Sequence, residues 1–85
     1  MKYEVLYDPK SEKQLDKLPR NTAVRIIKKM REVGDTGRGI ETLKDENYKY
    51  KVRVGNYRVL IDITNNPSRI WVRYVDHRSR IYKRF

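Results

Sequence analysis

The 85-residue sequence holds 21 Lys and Arg against 11 Asp and Glu, a formal net charge of +10, and it has no cysteine. This length suits one domain (1–85) with a thin stability margin, since so short a chain buries only about 60% of its unfolded surface. The missing cysteines exclude a disulfide scaffold, a thiolate zinc site and a cysteine nucleophile, and they fit a reducing, cytoplasmic setting.

The chain has one histidine, His77, and its carboxylates are scattered. No metal centre and no other cofactor are therefore expected. No signal-peptide pattern stands out, and no apolar run approaches the ~20 residues needed to span a bilayer. A membrane is not an expected partner.

Residues 2–7 alternate well enough for a strand, with Tyr3, Val5 and Tyr7 on one face. Asp8-Pro9 then marks a helix start, with Asp8 as N-cap and Pro9 at the first helical position. Leu15 and Leu18 supply the apolar edge, and Pro19 ends the helix. A second helix is predicted over 21–33, where Ala23, Ile26, Ile27, Met30 and Val33 recur at spacings of three and four; Gly34 suits its C-cap. Residues 34–41 hold three glycines and read as a flexible loop. Three strands follow near 47–54, 57–64 and 69–76, joined by Gly55-Asn56 and by Asn65-Asn66-Pro67-Ser68. A basic tail closes the chain. The expected fold is α+β in the order βααβββ, with a helical hairpin on one face of a mainly antiparallel, four-stranded sheet.

Charge is distributed unevenly along this order. Residues 1–48 carry 11 basic and 9 acidic side chains, a net of +2, whereas residues 49–85 carry 10 basic ones against Asp62 and Asp76, a net of +8. Such a concentration points to a polyanion, because each cation set on a phosphate gains from counterion release. Nucleic acid ranks ahead of a membrane surface, since no basic amphipathic helix carries the excess.

The Gly55-Asn56 turn sets a register. Val54 faces Tyr57, Val52 faces Val59, Tyr50 faces Ile61 and Tyr48 faces Ile63, an apolar side for the helices. The other side pairs Arg53 with Arg58, Lys51 with Leu60 and Lys49 with Asp62. Two arginines opposed across a ladder repel each other, and folding does not ask for them. They read either as a solvated face of long cations or as an anion site built from Lys51, Arg53 and Arg58. The +8 imbalance favours the site.

These residues carry a resemblance. Tyr50-Lys-Val-Arg-Val-Gly-Asn-Tyr-Arg58, followed by Asp76-His-Arg-Ser-Arg-Ile-Tyr82, resembles the RelE/ParE toxin superfamily, and the likeness extends through the helical hairpin and Leu43-Lys44. RelE-type members cut messenger RNA in the ribosomal A site, and ParE-type members inhibit gyrase. On the RelE pattern, Lys51 falls on a catalytic lysine and Arg53 on a second basic position. Arg58, Arg78 and Tyr82 match the arginine after the hairpin, the arginine after the last strand and the C-terminal tyrosine. The resemblance also implies a cognate RelB-like antitoxin, with the ribosome and its mRNA as further partners. Lys44, Lys49, His77 and Arg80 are secondary candidates for RNA contact.

Metal-free cleavage by the RNA's own 2′-hydroxyl needs a proton acceptor, stabilisation of the phosphorane and help for the leaving oxygen. A guanidinium stays protonated and cannot be the base, which leaves Lys51 or Tyr82. Arg53 and Arg58 would hold the phosphate, Arg78 the leaving group, and Tyr82 would stack on a base. Tyr82 also reads as a core residue and His77 as a structural one. A gyrase inhibitor of the ParE type and a non-catalytic RNA- or ribosome-binding module remain open.

Overall fold

A computed structural model of the protein describes residues 2–81. Strand β1 (Glu4–Tyr7) leads into α1 (Pro9–Asp16), whose start follows the local chemistry. The Asp8 carboxylate accepts the Ser11 N–H at 3.0 Å, and Pro9 occupies the first turn. Helix α2 (Arg20–Thr36) runs three residues past the expected end. Its core stripe is Ile26, Met30 and Val33, with Ala23 packed alongside.

Gly34 does not cap this helix. Gly37, at φ 71°, takes that role, and its N–H donates to Val33 O at 2.8 Å. Gly34 is instead a point of close approach: a Cβ there would lie 2.6 Å from Val5 Cγ2 and 3.1 Å from Tyr3 O. Its carbonyl accepts the N–H groups of Lys2 and Tyr3 at 3.0 and 2.9 Å.

The sheet has five strands where four were expected. The additional one, β2 (Ile40–Thr42), arises in the segment read as a loop and pairs antiparallel with β3 (Tyr50–Val54), Ile40 opposite Val52. Three residues beside glycines are too short for an alternation signal. β4 (Tyr57–Thr64) and β5 (Arg69–His77) complete the order β1-β5-β4-β3-β2, in which only β1 and β5 run parallel. Where β1 ends, α1 covers the edge of β5, and Gln14 Oε1 accepts the Val75 N–H at 2.7 Å.

The hairpin register agrees with expectation from Val54↔Tyr57 to Tyr50↔Ile61, including Arg53↔Arg58 and Lys51↔Leu60. It stops there. The expected Tyr48–Ile63 and Lys49–Asp62 pairs do not form, because Asp45 Oδ1 accepts the N–H groups of Asn47 and Tyr48 at 2.7 and 3.1 Å and turns the chain before β3. Asp62 instead accepts from Arg73 Nε at 2.9 Å.

The main core lies between the helices and the sheet, where Leu15, Ile26, Met30 and Val33 meet Val52, Val59, Ile61, Ile70 and Val72. A second, small cluster occupies the opposite sheet face. Leu60 and Tyr74 are joined there by Ile81 of α3 (Arg78–Ile81), with Leu43 and Tyr48 packed beside them. Among the described residues, no helix is long and apolar enough to cross a membrane.

Candidate functional site

The side chains expected to bind phosphate gather on the sheet face away from the helices. Strand alternation puts Lys51 and Arg53 on one side of β3, and the ladder sets Leu60 and Arg58 directly across from them. The next strand extends both rows, Tyr74 beside Leu60 and Asp76 beside Arg58. A β-bulge between Leu60 and Ile61 keeps this phase, because Arg73 is the extra residue on β5.

Each cation has a different environment. Arg58 is buried, with 7% of its surface exposed, and its Nη1 donates to Gly55 O at 3.0 Å and Tyr57 O at 2.9 Å. Turn carbonyls thus hold the Arg58 guanidinium in place. Arg53 is exposed and meets Glu41 of β2 at 3.2 Å. An ion pair this open to solvent contributes little and can be exchanged for a phosphate. Lys51 is half-buried beside the Leu60 cluster.

The chain turns back at the end of β5. The Arg78 N–H donates to Asn56 O at 2.8 Å, which seats the start of α3 against the hairpin turn. The Arg78 side chain is exposed and makes no hydrogen bond or ion pair among the described residues. Two residues on, Arg80 Nε donates to Asp76 Oδ1 at 2.8 Å, and the same oxygen accepts the His77 N–H at 2.7 Å. That hydrogen bond, with the Asp76 charge, holds the Arg80 guanidinium proton more tightly than usual. Arg80 is thereby tied to Asp76 across the first turn of α3, with its side chain still largely exposed.

The remaining candidates stand apart. Lys44 and Lys49 are exposed at the two ends of the 43–49 connection, where the Leu43 N–H donates to Lys49 O at 2.8 Å. His77 pairs with Tyr57, on the helix side of the sheet, and its ring meets that tyrosine edge-on at 5.5 Å. Its Nδ1 lies 2.8 Å from Ser79 Oγ and accepts the Ser79 N–H at 3.2 Å. Tyr82 lies outside the described residues.

Two acidic neighbours were not anticipated. Glu41 belongs to the strand that the glycines concealed. Asp76 stands opposite Arg58, a register that would have been legible had the bulge been foreseen.

The sequence matches, over residues 5–82, the family described as ParE toxin of type II toxin-antitoxin system, parDE. The chain belongs to this toxin family. Its fold resembles that of the RelB–RelE antitoxin–toxin complex from Methanococcus jannaschii, at 28% identity and a TM-score of 0.71, over 94% of this chain and 98% of that one. A mutant of the E. coli toxin RelE in its free state shares 26% identity at a TM-score of 0.74, over 98% and 93%. The RelBE2 complex from Mycobacterium tuberculosis reaches a TM-score of 0.81 over 91% and 99% at 22% identity, a likeness of fold alone. Among curated proteins, no match was found. This RelE/ParE toxin thus belongs to a toxin-antitoxin system, and its α+β architecture is that of RelE.

Proposed function

We propose that the protein is a ribosome-dependent endoribonuclease that cuts mRNA in the ribosomal A site and so inhibits translation. The observation that carries this reading is the convergence of Lys51, Arg53 and Arg58 on one sheet face, with Arg78 seated against the same hairpin through Asn56 O. A toxin that only blocked another protein would have no need of a cluster of cations on its sheet.

The reaction follows from RNA's own chemistry. The 2′-oxygen attacks the adjacent phosphorus, and its proton passes to the Lys51 amine. Arg53 and Arg58 stabilise the negative phosphorane, where fixed donors contribute most. The bond from phosphorus to the 5′-oxygen breaks. Arg78 stabilises charge on that oxygen as it takes a proton from water, and the Lys51 ammonium returns its proton to the hydroxide so formed, leaving a 2′,3′-cyclic phosphate and a 5′-hydroxyl. Tyr82 stacks on an unpaired base. With so weak an acid–base set, positioning by the ribosome supplies much of the rate. A RelB-like antitoxin is the cognate inhibitor, in keeping with the RelB–RelE complexes that share this fold.

A second reading, a ParE-type gyrase inhibitor, is favoured by the family match itself. The two separate cleanly in paired assays. The ribonuclease reading expects cut mRNA in a translating extract and unimpaired gyrase supercoiling; the reverse outcome selects the inhibitor.

A further inference from the structure

The basic face does not stop at the hairpin turn. Arg25, Lys28 and Lys29 of α2, with Arg53, line an open cleft of about 370 Å³ between α2 and the end of β3, closed by Val54 and Gly55. Glu32 is the one carboxylate lining it. β2 reaches only as far as Val52, so no strand of the sheet covers this stretch of β3. Arg25, Lys28 and Lys29 enter no ion pair among the described residues. Arg25 stands three and four residues from Lys28 and Lys29, a like-charge spacing that opposes the helix, while Glu32 stands four and three residues from the two lysines.

Gly55 joins this cleft to the sheet face. Its φ is +57°, and a Cβ there would lie 3.0 Å from Arg25 Nη2, so the Arg25 guanidinium rests on the turn. The carbonyl of the same residue accepts Arg58 Nη1 at 3.0 Å. Guanidinium groups from the two sides of the sheet thus meet at one glycine. Arg78 is held to the neighbouring residue, Asn56.

We infer that this cleft is a second phosphate-binding surface, which grips the sugar-phosphate backbone of folded RNA while a messenger strand occupies the Lys51–Arg58 face. This rests on the ribonuclease reading for the identity of the RNA, which is then ribosomal. The lining chemistry favours phosphate over a protein partner. Lysines are point-charge phosphate binders, and they are depleted at the cores of protein interfaces. Val54 is the only large apolar side chain in the cleft. Arg53 lines the cleft and also stands on the sheet face, so an RNA segment in the cleft and a messenger strand on the sheet would adjoin at that residue.

The test compares the triple variant Arg25→Gln/Lys28→Gln/Lys29→Gln with the charge-preserving Arg25→Lys/Lys28→Arg/Lys29→Arg. Binding to vacant ribosomes is measured by sedimentation across a salt series. Each lost phosphate contact lowers the slope of log affinity against log salt by about 0.9, so the Gln variant is expected to lose roughly 2 to 3 and the charge-preserving one nothing. If the triple variant fails to fold, the single Lys28→Gln is expected to lose about 0.9. An unchanged slope in a folded Gln variant overturns the inference. So does an unchanged slope with weakened binding of the antitoxin, which assigns the cleft to a protein. Cleavage of translated mRNA by the wild type is scored in parallel. A flattened slope without cleavage keeps the cleft and removes the ribonuclease reading.

Discussion

Arg58 Nη1 donates to the carbonyl oxygen of Gly55 at 3.0 Å, so the arginine that faces Arg53 across the ladder is also a strut of the hairpin turn. Its guanidinium is buried, and the adjacent Tyr57 carbonyl accepts the same nitrogen. Arg58→Ala should therefore lose cleavage and also destabilise the fold, by about 2 kcal/mol, the scale of hydrogen bonds made by a charged group. Arg58→Lys should restore little of either, since one ammonium cannot reproduce the planar donor set. Urea unfolding together with a cleavage assay checks both. A stable Arg58→Ala protein would show that the turn does not depend on it.

Asp76 offers a cleaner separation of site from fold. Its Oδ1 holds both the His77 N–H and Arg80 Nε, and it thereby sets the first turn of α3, on which Arg78 stands. Asp76→Ala should lower the cleavage rate roughly 10- to 100-fold, the scale of a catalytic group displaced by about 1 Å. Thermal unfolding should change little. Full activity in this variant would mean that Arg78 needs no such support.

Gly34 predicts a purely structural defect. Alanine is the better helix former by about 1 kcal/mol, yet its Cβ would meet Val5 Cγ2 at 2.6 Å. Overpacking should prevail, with a net loss of about 1 to 3 kcal/mol. That corresponds to at least several degrees in Tm for a domain of this size. A more stable Gly34→Ala protein would show that β1 yields without penalty.

Alkaline pH should act through Tyr7. Burial raises its hydroxyl above the ordinary value of 10.0, against the opposing pull of Arg31. The folded state therefore keeps its proton where the unfolded chain releases it. The stability involved is fully present below pH 10 and is lost as pH rises through the folded value. Tyr7→Phe should show a shallower decline above pH 10 in thermal melts between pH 8 and 11. Parallel curves for the two proteins would remove Tyr7 as the cause.

Local chemistry made much of this legible in advance. Asp8-Pro9 announces α1, and Gly55-Asn56 announces a register that places Lys51, Arg53 and Arg58 on one face. What stayed hidden depended on distant partners. Gly34 looks like a cap until Val5 is brought against it, and the alternation that seemed to reach Tyr48 is cut by an Asp45 side chain. The apolar cluster under the cationic face needs Ile81, which arrives only because α3 folds back. The acidic partners share this history: Asp76 faces Arg58 through a bulged register, and Glu41 reaches Arg53 from a strand of three residues.

The most direct test of the ribonuclease reading is primer extension on an mRNA translated in vitro, with and without ribosomes, using wild type, Lys51→Ala and Arg78→Ala. The prediction is discrete cuts that require ribosomes, are made by the wild type and disappear in both variants. Wild-type cuts of equal strength on naked RNA, or undiminished cuts by both variants, would contradict it.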